Sequence, residues 1–195
     1  MTASAETLPS SSGTMSRRAR SLRQAREQMV AVREEIVRAV AGRSDEDLLR
    51  TPAGGGWCAA EILDHIGIAE RKVVKGLLKT EKGEAVRLPR GVWFYRVPVS
   101  PFFWRFKLRA PKLVRPRSRA EIAPSEVLAG LAASRRELLG LADRLGPERF
   151  SRLVLPHVFL GRFTGLAWFR FIARHESRHL AQIKRVLGAG RGEPS

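Results

Sequence analysis

Apolar residues recur at helical spacing in four long stretches of the chain. From Ser16 to about Ala41, Leu22, Met29, Val32, Ile36, Val37 and Val40 stand mostly three or four residues apart, which predicts an amphipathic helix. A second helix is expected over about Cys58–Thr80, after the loop "TPAGGGW", whose three consecutive glycines end any helix. Its opening "CAAE" has capping-box spacing, with Cys58 where Ser or Thr is usual. A third runs through "PSEVLAGLAASRRELLGLADRLG" (124–146), started by Pro124–Ser125–Glu126 and stopped at Gly146–Pro147. A fourth spans about Thr164–Leu187 and ends at Gly188. "EDLL" after Asp45 suggests one short helical turn. "LVLPHVFLGRF" reads as a connection, without a strand–turn–strand pattern.

Four substantial helices in one domain imply an all-α four-helix bundle. Residues 1–15 read as a tail, 16–188 as the bundle domain and 189–195 as a second tail. The stretch between the second and third helices differs from the rest. Between Arg87 and Arg119 every charge is positive, and Trp93, Phe94, Tyr95, Phe102, Phe103, Trp104 and Phe106 alternate with prolines. The prolines argue against one long helix. Connections of this length are uncommon in compact domains, so the aromatics are expected to pack on the core or to form short helical pieces.

Charge widens the choice of function. The chain carries 36 Lys+Arg against 19 Asp+Glu, a formal net charge of +17, enough to attract nucleic acid or an anionic membrane. Arginines interleaved with aromatics over 87–119 suit stacking on single strands, so a non-catalytic basic binding protein is one reading. No RRM, KH or zinc-finger pattern accompanies them. An exposed aromatic segment would also support a homodimer. Cys58 is the only cysteine, which excludes an intramolecular disulfide and a multi-cysteine zinc module. It fits a reducing compartment, and with no apolar leader at the N-terminus a cytoplasmic location is expected.

The histidines narrow the choice. Of four in the chain, His175 and His179 are spaced i, i+4 in "RHESRHLAQI" and share the helix side of Trp168, Ile172, Ile183 and Val186. H-E-x-x-H is the zinc-protease signature. However, no histidine follows His179, Gln182 stands where the extended motif needs glycine, and no sheet is expected. A third imidazole is available upstream. His65 lies on the second helix among Ile62, Ile68 and Ala69, on the apolar side. Facing helices can bring three imidazoles to one cation, and three protein ligands leave an open position, the mark of a catalytic site. Neutral imidazole suits Zn, Ni, Cu or Fe. Glu61, one turn before His65, and Gln182, beside His179, are candidates to orient those rings. Glu176 has a weak claim as acid or base, His157 reads as structural or as lining the pocket mouth, and Cys58 as a semi-buried cysteine.

"GGGWCAAEILDHIG" resembles the W-S-x-x-E-x-x-x-H segment of the DinB/YfiT-like superfamily, and "FIARHESRHLAQI" its terminal H-x-x-x-H-x-x-Q-I segment. "APKLVRP" and "LPHVFLGRFT" resemble features of one branch more loosely. The resemblance covers roughly residues 20–188, and Cys58 departs from it at the serine position. It implies a four-helix bundle holding a divalent metal (Zn, Ni or Fe) through His65, His175 and His179. It also implies a small-molecule substrate, with thiol-dependent transfer using a low-molecular-weight thiol, or hydrolysis, as the activity.

Overall fold

The computed structural model describes residues 16–84, 111–157 and 161–188. The aromatic stretch 93–106 therefore lies outside the described residues, as do both tails. Helix α1 (Arg17–Val40) starts where the Ser16 hydroxyl accepts the Ala19 N–H at 3.1 Å. It buries Leu22, Ala25, Met29, Val32, Ile36 and Val40, a stripe at steps of three and four. Val37 is 48% exposed, because it falls one position round from that stripe. A short α2 (Asp45–Leu49), capped by Ser44, seats Leu48 in the core. Helix α3 (Ala59–Glu81) follows the Cys58 cap, whose N–H bonds back to Glu61 at 2.8 Å.

Helix α4 (Pro124–Arg152) begins with proline at its first turn. The stop expected at Gly146–Pro147 is a kink. Gly146 takes a left-handed φ of 68°, and helical geometry resumes through Phe150 to Arg152. Beyond it the expectation of a strandless connection fails: β1 (Val154–His157) pairs antiparallel with β2 (Gly161–Thr164), Leu155 opposite Phe163. Pro156 and the shortness of these strands hide them from pattern reading. Helix α5 (Gly165–Gly188) follows β2 directly.

α1 packs mainly on α5, and α3 on α4 and α5. One apolar cluster joins the C-terminal halves of α1 and α5 to the N-terminal halves of α3 and α4, through Ile36, Ile62, Ile66, Leu131 and Ile183. A second joins the opposite halves through Met29, Leu77, Leu138, Phe150 and Phe169. Hence α1 runs parallel to α5, and α3 parallel to α4. The end of α3 and the start of α4 therefore lie at opposite ends of the molecule, and residues 112–117 lie beside the start of α3.

A charged layer separates the two clusters, with one ionic side chain from each long helix. Arg33 (α1) and Arg135 (α4) meet Glu70 (α3) and Glu176 (α5), all buried. Burial alone would lower the Arg33 pKa, but Glu176 and Glu70 beside it raise it. Burial likewise opposes ionisation of Glu70, and Arg135 and Arg33 outweigh that and pull it down. Ser134 adds a 2.7 Å bond to Glu70.

Candidate metal centre

His65 stands on the second turn of α3, just inside the first apolar cluster, and is 4% exposed. His175 and His179 lie one turn apart on α5; His179 is 8% exposed, while His175 keeps partial access to solvent. α3 packs against α5, so the three imidazoles meet. His65 Nε2 is 3.3 Å from His175 Nε2, and His179 Nε2 is 3.2 Å from the same atom. One ligand atom from each ring lies within 4.8 Å of the other two. The donors of a tetrahedral ion bound at about 2.0–2.1 Å stand roughly 3.3–3.4 Å apart, close to both separations.

Hydrogen bonding sets which nitrogens face inward. His65 Nδ1 is 2.6 Å from the Val114 carbonyl, and His179 Nδ1 is 3.1 Å from Gln182 Oε1. Both oxygens can only accept, so each Nδ1 carries the hydrogen and each Nε2 presents a lone pair. Two lone pairs thus converge on His175 Nε2, an arrangement that a shared cation would satisfy. Burial pushes all three imidazoles down in pKa: His179 to about 4, His175 well below its ordinary value with His179 and His65 adding to the effect, and His65 downward despite its bond to Val114. The rings are therefore neutral near pH 7, as metal ligation requires.

Aromatic rings flank the centre. Trp57 lies 5.1 Å from His65 between centroids, and Phe171 stacks on His175 at 5.6 Å. His157, delivered by β1, sits against Phe163, Trp168 and Phe171, and burial lowers it to about 4. It is neighbour to the triad through Phe171.

The remaining candidates separate clearly. Gln182 reaches its histidine. Glu61 does not reach His65: it holds the Cys58 N–H and pairs with Arg119 at 3.1 Å. Burial, which opposes its ionisation, is outweighed by those partners, so its pKa is lowered. Cys58 is fully buried, and burial raises its thiol. Glu176, the glutamate of H-E-x-x-H, points away from the imidazoles into the charged layer and is 0% exposed. A protease of that motif needs this carboxylate at the metal, so the geometry removes that reading. Two cations of the basic segment, Arg117 and Arg119, are committed to Asp64 and Glu61. An open groove of about 430 Å³ along the C-terminal half of α3, walled by Arg71, Lys75, Lys79 and Lys82, contains no histidine.

Asp64 is a participant that pattern reading missed. It is 1% exposed and adjoins His65, and an acid on the inner side of an apolar helix was its signal.

Residues 28–183 match the sequence profile of the DinB superfamily. The chain belongs to the DinB superfamily. The matched span contains all three histidines, Asp64 and the whole charged layer. Among relatives of this DinB-superfamily chain is the uncharacterized protein YuaE of Bacillus subtilis (strain 168), 32% identical over 149 residues that cover 74% of this chain and 86% of the relative. No solved structure matches this chain. Among its described residues, no helix is long and apolar enough to cross a membrane.

Proposed function

We propose that this chain is a divalent-metal-dependent transferase or hydrolase of small molecules, with His65, His175 and His179 as its ligands and Zn, Ni or Fe as its ion. The observation that carries the reading is the convergence of three neutral imidazoles through Nε2, two of them with the other nitrogen already bonded. We read the four long helices as the superfamily's four-helix bundle and 82–123 as its crossover. A cytoplasmic location belongs to the same proposal and rests on the single, buried cysteine.

A cation bound there would supply Lewis acidity, polarising a carbonyl or favouring the ionised form of an incoming nucleophile. The protein's share is to hold three neutral rings in fixed tautomers and to limit water with Trp57 and Phe171. Its nearby acids are engaged elsewhere. Asp64, Glu61 and Glu176 are each held by an arginine. Cys58 is buried with a raised pKa, so it is no nucleophile. A nucleophile that enters from outside and ionises easily fits best. A thiol ionises near pH 8.5, about seven units below bulk water. Transfer involving a low-molecular-weight thiol is therefore favoured over hydrolysis.

Metal analysis of the purified chain tests the reading. About one equivalent in wild type and loss of it in His65→Ala is the expected result. Wild type reloaded with Zn, Ni or Fe is then offered thiols and small electrophiles. Failure to hold any of the three ions would overturn the proposal; metal without turnover would leave a binding protein.

A further inference from the structure

The geometry points to residues 112–119 as a strap that sets the tautomer and tilt of His65, with Arg117 as the positioning residue. The functional consequence rests on the metal reading above, whereas the strap itself rests on contacts made without metal. The strap is the returning end of the crossover. A three-residue turn, Lys112–Val114, brings the Val114 carbonyl to His65 Nδ1. So short a turn cannot hold its own position. It is fastened three residues later, where Arg117 spends both its backbone and its side chain on one buried acid.

The Arg117 N–H bonds Asp64 Oδ2 at 2.9 Å, and its Nη2 bonds Asp64 Oδ1 at 2.9 Å. Asp64 is the residue before His65, so the fastening point and the positioned ring belong to one turn of α3. Arg119 adds a second fastening to Glu61 and Thr51. The Asp64 carboxylate, 1% exposed, depends on Arg117 for its charge partner. Without the strap the Val114 carbonyl leaves His65. The hydrogen is then free to sit on either nitrogen, and with it on Nε2 the ring cannot ligate from the inward side.

The test compares wild type with Arg117→Ala in the full chain, with Arg26→Ala as a control that removes an exposed ion pair elsewhere. Long-range proton–nitrogen NMR of the metal-free protein reads the tautomer directly. His65 is expected with hydrogen on Nδ1 in wild type and in the control, and as a mixture in Arg117→Ala. Competitive Zn²⁺ titration is expected to show affinity about 10- to 100-fold weaker in Arg117→Ala, the loss typical of removing a group that orients a ligand. Arg117→Lys keeps the charge without the paired bonds and should fall between. An unchanged tautomer in folded Arg117→Ala overturns the strap. A changed tautomer with unchanged Zn²⁺ affinity overturns its role at the metal. If His65→Ala binds Zn²⁺ like wild type, the metal reading fails, and the tautomer still decides the strap. Should Arg117→Ala not fold, Asp64→Asn is judged on the same two readouts.

Discussion

Arg33 and Glu176 are separated by 143 positions and form a buried ion pair in the middle of the helices. Arg135 bonds the same Glu176 oxygen at 2.7 Å and also bonds Glu70. The two arginines further cap carbonyls inside the core: Arg33 bonds the Leu131 carbonyl and Arg135 that of Met29. Because one member comes from each long helix, a one-turn slip of any helix would break the layer.

Removing a single member should therefore cost more than its bonds alone. Glu176→Ala would leave two buried guanidinium groups short of charge and is expected to destabilise by about 3–5 kcal/mol. Urea unfolding of the metal-free chain measures it. Glu176→Gln should retain metal, since the glutamate does not face the imidazoles. Loss of stoichiometric metal in a folded Glu176→Gln would contradict an orientation of Glu176 toward Arg33 and Arg135.

The helices were readable because period and punctuation agreed. The stripe of α1 and the proline start of α4 each appear in the residues themselves. The histidine triad was readable because i, i+4 spacing fixes two rings on one face, and His65 shares its face with apolar neighbours. Three things were hidden. The charged layer is long-range, and an arginine inside "MVAVREEIV" gives no sign of its partners. The β1–β2 pair is only four residues a side, with Pro156 within it. The third was Glu61, which reads as a partner for His65 by spacing, but the returning segment offers it Arg119 and offers His65 a backbone carbonyl instead. Sequence periodicity cannot report what a distant crossover lays on a helix.

Cys58 should be silent toward thiol reagents while the protein is folded. It is 0% exposed, and burial disfavours the thiolate that reacts. Alkylation is expected to follow global unfolding, becoming fast only in denaturant. Cys58→Ser installs a common helix cap at the same position, and its stability should stay within about 1 kcal/mol of wild type, with metal content unchanged. Rapid labelling of native protein would show that this helix start opens locally.

Two glycines permit close approaches around the hairpin. A Cβ on Gly165 would stand 2.2 Å from the Phe150 carbonyl oxygen, and one on Gly76 would stand 2.6 Å from the tip of Leu155. Backbone cannot yield as a leucine methyl can. Gly165→Ala is expected to destabilise at the upper end of the roughly 1–3 kcal/mol typical of overpacking, and Gly76→Ala by less. Thermal unfolding of the two variants ranks them, and the reverse order would mean that the junction between β2 and α5 is looser than its contacts imply.

Acid should weaken the metal-free fold in a defined window. His157 and His179 are pushed to about 4 by burial, His175 is held well below its ordinary value, and His65 is lowered too. Unfolded, each titrates near 6.5. Above that value neither state holds the protons, and the four add no pH dependence. As pH falls from about 6.5 toward 4, the unfolded chain takes up protons that the folded chain refuses. Stability then drops by up to about 1.4 kcal/mol per unit for each of His157 and His179, and the lowered His175 and His65 act in the same direction. Below about 4, His157 and His179 protonate in the fold as well, and their share levels off. Glu70 acts at the acid end: its lowered pKa gives stabilisation that is present above its unfolded value and is lost as pH falls through its folded one. Urea midpoints of metal-free protein at pH 7, 6 and 5 should therefore fall progressively. His157→Gln should flatten the slope by about one proton while leaving all three imidazoles of the triad in place. Equal midpoints at pH 7 and 5 would mean that these imidazoles are solvated in the folded chain, which would remove the dry, neutral donor set on which the proposed metal centre depends.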